Sequence, residues 1–181
     1  MSDIAQDSAF ALLLRMQDEA RAQAPGLPEQ TQAAPLWSGL GFRLAGLSLL
    51  VSLDQIAEVL VRPEVTRVPG TKRWVKGVAN VRGSLLTIID LAEYFGKAPV
   101  PMDDKARLLV MHVGDFSTAL VVNEVLGLKH FDAERDRRDI AGLDNAVLMH
   151  VQTAYAQDDT LWGVFDLRSL TESLTFKHVA A

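Results

Sequence analysis

From Phe42 onward, hydrophobic positions alternate with polar ones along most of the chain, and a period of two predicts β-strands. Gly83-Ser84 and Gly114-Asp115 separate pairs of such runs and predict hairpins, the second with a type II′ turn. Asp158-Asp159 predicts a further turn. The predicted strands cover residues 42–44, 47–53, 56–61, 78–82, 85–89, 107–113, 116–122, 151–155 and 161–165.

The second of these runs shows the alternation most clearly. Leu47, Leu49, Val51 and Leu53 define one face, and the opposite face carries Leu50 between two serines. Many short strands at this spacing favour small β-barrels or a sandwich over a fold that alternates strands with helices. We therefore predict a mainly β protein.

The N-terminal part of the chain follows a helical spacing instead. Over residues 8–23, Phe10, Leu13 and Leu14 lie on one face of a predicted helix, which Pro25-Gly26 ends. Residues 24–41 contain three prolines and three glycines and are interpreted as a linker. The predicted organisation is a helical arm with its linker over residues 1–36, followed by one domain over residues 37–181.

A short internal repeat links two of the predicted strands. Asp90-Leu91 and Asp166-Leu167 each follow a buried-looking strand and precede a predicted helix, over residues 91–95 and 167–174. Aspartate at this position caps a helix, because its carboxylate accepts from the free N–H groups of the first turn. Gly96 is a plausible residue to end the first helix. The repeat predicts two similar β halves, and capping is favoured over a pair of catalytic carboxylates.

Composition narrows the function. The chain has 181 residues, a formal net charge of −5 and no cysteine, which disfavours nucleic acid as the main partner and excludes thiolate chemistry. His112, His130, His150 and His178 have no metal-site spacing, and His112 and His150 fall in predicted strands. No Gly-x-Ser-x-Gly elbow occurs, and no Gly-Lys-Ser/Thr follows Gly83, which is better explained by a turn with positive φ. With no signal-peptide pattern and no membrane-spanning run, we predict a cytoplasmic protein with no catalysis, cofactor or membrane insertion.

Charge is unevenly distributed along the chain. Six of the 18 basic residues lie between Arg62 and Arg82, against the single acid Glu64. This stretch is either a solvated face or a docking surface for an acidic partner. Trp74 lies within it and is interpreted either as an exposed interface residue or as a core residue. The six basic residues are Arg62, Arg67, Lys72, Arg73, Lys76 and Arg82.

Residues 65–91 resemble the CheW family. The family pattern is Val-Pro, a short turn, Gly-Val-x-Asn-x-Arg-Gly, and then an apolar strand that ends in Asp-Leu. Residues 56–59 resemble the preceding family strand and residues 119–127 a later one, where Asn123 replaces the usual Asp. The N-terminal arm with residues 37–43 resembles a CheW-like adaptor of twitching-motility systems. The pattern is filled here by Val68, Pro69, Gly77, Val78, Asn80, Arg82, Gly83, Asp90 and Leu91.

The resemblance implies two five-stranded, SH3-like β-barrels on one apolar core, with short helices. It implies an adaptor that binds the regulatory domain of a CheA-type histidine kinase and the cytoplasmic tip of a methyl-accepting chemoreceptor. Arg82 and Glu58 are expected to form a functional ion pair, with Ile56, Gly77 and Val125 near the same receptor-facing groove. Asn80 completes the predicted binding set. The alternative is a small-molecule-binding or enzymatic β-barrel, which should have a deep pocket lined by converging polar groups.

Overall fold

The computed structural model describes residues 36–113, 116–140 and 146–177. The predicted helix over residues 8–23 and the predicted Gly114-Asp115 turn lie outside the described residues, and the division of the chain at residue 36 stays a prediction. The described strands are β1 (Leu36–Leu44), β2 (Leu47–Ser52), β3 (Glu58–Leu60), β4 (Val75–Val81), β5 (Ser84–Asp90), β6 (Arg107–Val113), β7 (Phe116–Val122), β8 (Glu124–Asp132), β9 (Arg137–Arg138), β10 (Val151–Gln157) and β11 (Thr160–Phe165). The helices are α1 (Leu91–Tyr94), α2 (Leu167–Glu172) and α3 (Leu174–Lys177), with 3₁₀ turns at Leu53–Gln55 and Leu148–His150.

The strands form two sheets, which confirms the mainly β prediction. One sheet has the order β3-β6-β7-β5-β4, and the other has the order β8-β1-β2-β11-β10-β9. The second sheet has one strand more than expected, because Arg137–Arg138 pair with Tyr155 and Ala154 at its edge. Apart from β9, the pairings correspond one to one. Each sheet consists of an edge strand followed by two hairpins in the same order. The adjacent strands of the two hairpins pair in parallel, β2 with β11 in one sheet and β7 with β5 in the other.

This correspondence explains the Asp-Leu repeat. The two repeat strands, β5 and β11, are the equivalent members of the two parallel pairs, with β7 and β2. Asp90 accepts from the Glu93 N–H and caps α1, and Asp166 accepts from the Arg168 N–H and caps α2. Both predicted caps are confirmed, although α2 ends before Ser173, earlier than predicted. The halves are similar in topology even though β1 and β2 join the second sheet from the start of the domain.

Gly96 ends α1 as predicted. It has a φ of 70°, its N–H donates to the Glu93 carbonyl, and the Lys97 N–H donates to the Ala92 carbonyl. These two bonds satisfy carbonyls that the last helical turn leaves free, as in a Schellman motif. The chain then leaves α1 in the direction that leads towards β6.

The predicted linker was drawn too long, because β1 already begins at Leu36. The two glycines that suggested a linker are strand residues. A Cβ on Gly39 would lie 2.4 Å from the Trp37 ring, and one on Gly41 would lie 3.0 Å from the Trp162 ring. The glycines therefore make room for tryptophans inside the six-stranded sheet, where Trp162, Phe131, Tyr155 and Leu50 are buried together.

β2 is buried on both faces, which corrects the alternating assignment. Leu49 and Val51 join the large core that residues of both sheets share, whereas Leu50 joins the smaller aromatic cluster. Leu53 leaves the strand, begins a 3₁₀ turn and is half exposed. The shared core agrees with the expected single apolar core between two β halves. It includes Phe42 and Phe165 from the six-stranded sheet and Ile88, Leu109 and Leu120 from the five-stranded sheet.

Candidate functional site

The β4–β5 hairpin places Arg82 at its tip. The central turn residues are Arg82 and Gly83, with φ of 51° and 85°, so the predicted turn at Gly83-Ser84 is wrong by one residue. Two successive positive φ values define the turn type that matches the twist of a hairpin. Arg82 is thus a turn residue, and its side chain is 78% exposed.

Asn80 holds this turn together. Its side-chain oxygen accepts from the Gly83 N–H at 3.0 Å. This bond gives the Asn-x-Arg-Gly spacing a physical reason, because the amide closes the loop that carries Arg82. A contact of Asn80 with a partner remains a prediction.

Arg82 forms the predicted ion pair with Glu58. Its Nη1 donates to Oε2 of Glu58 at 2.8 Å, and the Glu58 side chain is 31% exposed. Glu58 begins β3, which is one edge of the five-stranded sheet, and Arg82 follows β4, which is the other edge. In a flat sheet these edges would be about 19 Å apart. The contact therefore shows that the sheet curls until its edges approach, as in a small barrel.

Gly77 lies where a second chain segment crosses β4. Its φ is 139°, and a Cβ at this position would lie 2.1 Å from the carbonyl oxygen of Thr66. Thr66 pairs with Val78 through two backbone hydrogen bonds of 2.8 Å. Gly77 is buried, so the structure gives it a role in letting the β3–β4 connection approach the strand.

Ile56 lines an open groove next to Glu58. The groove has a volume of about 390 Å³ and lies between the β2–β3 connection, β6 and α2. Ile56 itself is half-buried and packs against the shared core. The groove is open to solvent, unlike the enclosed pocket that the small-molecule alternative predicts. Its lining residues are Asp54, Gln55, Ile56, Ala57, Met111, His112, Leu167, Arg168 and Thr171.

Two contacts across this groove were not foreseen from the sequence. Gln55 donates to Asp166 at 3.2 Å and accepts from the Leu167 N–H at 2.8 Å, which ties the β2–β3 connection to the start of α2. Arg168 donates to Asp54 at 2.7 Å. The Ser52 hydroxyl and, to a smaller extent, Arg168 lower the pKa of Asp54. The only local signal was the capping position of Asp166, since the partners are more than 100 positions apart.

Val125 belongs to the other sheet. It lies on β8, pairs in register with Phe42, and packs half-buried against the shared core. The structure thus brings Arg82, Glu58 and Asn80 together at one hairpin tip and places Ile56 two residues before Glu58. Val125 lies on β8 in the six-stranded sheet, so the predicted site residues come from both sheets.

Trp74 is a core residue, which settles the open interpretation. It is 9% exposed, stacks on Phe176 at 6.4 Å and meets Tyr94 edge-on at 5.2 Å. The indole therefore joins α1 and α3 to the segment before β4. An interface role for Trp74 is wrong.

His150 occupies the 3₁₀ turn before β10, not the predicted strand. Its Nδ1 lies 2.7 Å from the Ser169 hydroxyl, and its ring contacts Phe95 and Phe165. Burial lowers the pKa of His150, and the charge of Asp166 opposes this shift.

Within the described ranges, no group of three or more His, Asp or Glu side chains could hold a metal ion. None of the helices described is both long and apolar enough to cross a membrane.

Comparison with known proteins identifies the class. The CheW-like domain model matches residues 38–175, and the chain belongs to this family. Over 180 residues, 99% of both chains, it is 36% identical to protein PilI of Pseudomonas aeruginosa, which confirms the resemblance that residues 37–43 predict. It is 31% identical to protein FrzA of Myxococcus xanthus over 106 residues, which are 59% of this chain and 66% of that protein.

A solved structure supports the fold independently. The crystal structure of scaffolding protein TtCheW from Thermoanaerobacter tengcongensis aligns with a TM-score of 0.66 at 19% identity. The alignment covers 80% of this chain and 98% of that chain. At this identity the likeness establishes the shared fold, and it agrees with the expected pair of β subdomains.

Proposed function

We infer that the protein is a non-catalytic cytoplasmic adaptor that couples a methyl-accepting chemoreceptor to the regulatory domain of a CheA-type histidine kinase. Its association with membrane-bound receptor arrays runs through these partners. The similarity to PilI supports an output in chemotaxis-like control of type IV pili and twitching motility. The observation that carries the proposal is the exposed Arg82–Glu58 pair at the tip of the β4–β5 hairpin.

This pair contributes little to folding. Both side chains are solvent-accessible, and exposed ion pairs of this kind stabilise a protein by about 0–1 kcal/mol. A partner that covers the pair would remove it from water, and losing one member of a desolvated pair costs about 2–5 kcal/mol in binding. The guanidinium of Arg82 can hold a carboxylate through two parallel N–H groups, which lysine cannot do.

The backbone conformation of Arg82 also supports a binding role. An L-residue other than Gly, Asn or Asp in the left-handed region is disfavoured by about 1–2 kcal/mol, and Arg82 has a φ of 51°. Asn-Gly is the preferred pair for this turn type. An arginine here works against the local preference, as expected where a side chain serves binding rather than folding.

Replacing Arg82 with Asn separates these two roles. Arg82→Asn removes the charge but keeps a residue suited to the turn, so thermal stability should be unchanged or slightly higher. Binding of a receptor-tip fragment and of the kinase regulatory domain, measured by calorimetry, should be largely lost. Arg82→Ala should also bind poorly with a small loss of stability, and Arg82→Lys should rescue little.

Arg43→Gln provides the matched control. Arg43 also pairs with a glutamate, Glu124, at 3.9 Å, and it is 50% exposed, but it lies on the other sheet. We expect Arg43→Gln to retain partner binding. If Arg82→Asn binds both partners as tightly as the unchanged protein, the hairpin tip is not the binding site. A large fall in melting temperature of Arg82→Ala with binding retained would make Arg82 a structural strut.

A further inference from the structure

A second surface, separate from the hairpin tip, concentrates positive charge. The connection between β3 and β4 and the neighbouring part of β4 line two adjoining grooves of about 740 and 300 Å³. The grooves share Arg67 and Lys76, so they form one continuous track. We call this track the cationic groove; its charged residues are Arg62, Glu64, Arg67, Lys72, Arg73, Lys76 and Glu93.

The charge of the cationic groove is opposite to that of the whole chain. Five basic and two acidic residues give it a formal charge of 5 − 2 = +3, whereas the chain carries −5. Like charges gathered on one surface raise the free energy of the folded protein when nothing neutralises them. The positive surface attracts an anionic partner, whereas the acidic remainder of the chain repels it, so binding at this surface is favoured over binding elsewhere.

The basic residues divide into those already paired and those that are free to bind. Glu93 accepts from Lys76 and pairs with Arg73 at 3.3 Å, and Lys76 also lies 3.4 Å from the buried Asp90. Arg62 donates to the Met102 carbonyl at 2.9 Å. These contacts fix part of the groove wall.

Arg67 and Lys72 differ from their neighbours. Both are exposed, and neither side chain has a hydrogen-bond or ion-pair partner among the residues that the structure describes. They flank Val68, which is 40% exposed, and Thr71 lines the groove between them. The free cations and a partly apolar floor together fit a chain that carries carboxylates and intervening apolar groups.

We propose that the cationic groove binds an acidic polypeptide segment of a partner protein, with Arg67 and Lys72 receiving its carboxylates. Nucleic acid fits less well, because Trp74 is buried against Phe176 and offers no ring for base stacking. A membrane surface fits less well, because the charges line a concave track. The proposal goes beyond the receptor–kinase adaptor role, since neither Arg82 nor Glu58 lines the groove.

Fluorescence anisotropy with a labelled peptide of alternating Glu and Ala tests the proposal in the full chain. The peptide should bind, the affinity should fall as salt is raised, and the same peptide with Gln in place of Glu should not bind. Arg67→Gln with Lys72→Gln should weaken binding about tenfold or more, corresponding to about 1.4 kcal/mol or more. The peptide assay uses neither a receptor fragment nor a kinase fragment, so its outcome is independent of the adaptor proposal.

The control variant is Arg137→Gln with Arg138→Gln on β9, which removes the same two charges from another exposed position. This pair should bind the peptide as the unchanged protein does. Equal loss in the two double variants, or no binding to the unchanged protein, would overturn the proposal. So would tighter binding of phosphatidylglycerol vesicles or of single-stranded oligothymidine than of the peptide.

Discussion

Backbone conformation distinguishes Arg82 from the other charged turn residues. Asp158 and Asp159 in the β10–β11 turn also have positive φ, 49° and 59°, but short polar side chains tolerate this region well. Arginine has no such local compensation. Ala45 in the β1–β2 turn also has a positive φ, 48°, so backbone conformation supports a binding role for Arg82 only together with its 78% exposed side chain.

His150 is a residue whose protonation affects folding. In the folded protein its ring lies between Phe95 and Phe165, and burial lowers its pKa from the usual value of about 6.5. The unfolded chain then takes up a proton at a higher pH than the folded chain does. Stability is fully present above the unfolded-state pKa and falls as the pH drops from there to the folded-state pKa.

Urea unfolding at about pH 7.5 and about pH 5.5 measures this effect. The free energy of unfolding should be lower at the acidic pH, and His150→Gln should reduce the difference, because it removes the titrating ring. An unaltered pH dependence in His150→Gln would mean that other groups cause it.

At the scale of elements, the β3–β4 connection and β4 depend on a single glycine. Ala at position 77 would have its Cβ 2.1 Å from the Thr66 oxygen and an unfavourable φ of 139°. Gly77→Ala should therefore lower the free energy of unfolding by about 1–3 kcal/mol in urea titrations.

Gly96→Ala is the appropriate comparison for Gly77→Ala. Gly96 also has a positive φ, 70°, but a Cβ there would meet nothing within 4 Å. Its variant reports backbone strain alone and should cost less. Equal losses in the two variants would show that the approach of Thr66 to Gly77 has no energetic weight. Because Gly77 is buried, a loss of partner binding in Gly77→Ala would arise from distortion of the hairpin that carries Arg82.

The elements that the sequence predicted well are those whose signals are local. Alternation and turn residues were sufficient for β6 with β7 and for β10 with β11, and the Asp-Leu pairs were sufficient for two helix caps. Glycines near the start of the domain were misleading, because Gly41 faces the ring of Trp162, which only the folded sheet brings to it. Spacing alone cannot encode such tertiary contacts.

The candidate site shows the same limit. The Arg82–Glu58 pair was expected from the family resemblance and not from any periodicity, because it depends on the curling of a sheet whose two edges are distant in pairing order. The Asp54–Arg168 and Gln55–Asp166 contacts join residues more than 100 positions apart, and the capping position of Asp166 is their only signal in the sequence. Alternation also does not reveal that β2 has a second buried face, which carries Leu50.

At the scale of the molecule, one apolar core joins the two sheets. Phe42 and Phe165 contribute from one sheet, and Ile88 and Leu120 contribute from the other. Trp74, near the five-stranded sheet, also stacks on Phe176 from α3, which follows the last strand of the six-stranded sheet. Neither sheet can therefore expose its inner face without exposing that of the other.

We expect the two sheets to unfold in a single transition, and the three tryptophans can report it. Trp37→Phe with Trp162→Phe leaves only Trp74 as reporter, and Trp74→Phe leaves the two tryptophans of the six-stranded sheet. In each variant, the fluorescence midpoint in urea should coincide with the midpoint from far-UV circular dichroism. Comparing two probes within one variant removes the effect of the substitution on stability, and separate midpoints would show that the sheets unfold independently.

The short edge strand β3 links partner binding at the candidate site to the local stability of the sheet. Among the described strands, β3 has only three residues and pairs only with β6. The Glu58–Arg82 contact joins it to the tip of the β4–β5 hairpin. A strand held this lightly opens more often than the centre of the sheet. A partner that contacts both Arg82 and Glu58 binds only the state in which these side chains are paired. By mass action, its binding therefore lowers the population of molecules in which β3 has opened. Binding at the hairpin tip and the rigidity of the β3 edge are thus coupled, and each can be altered through the other.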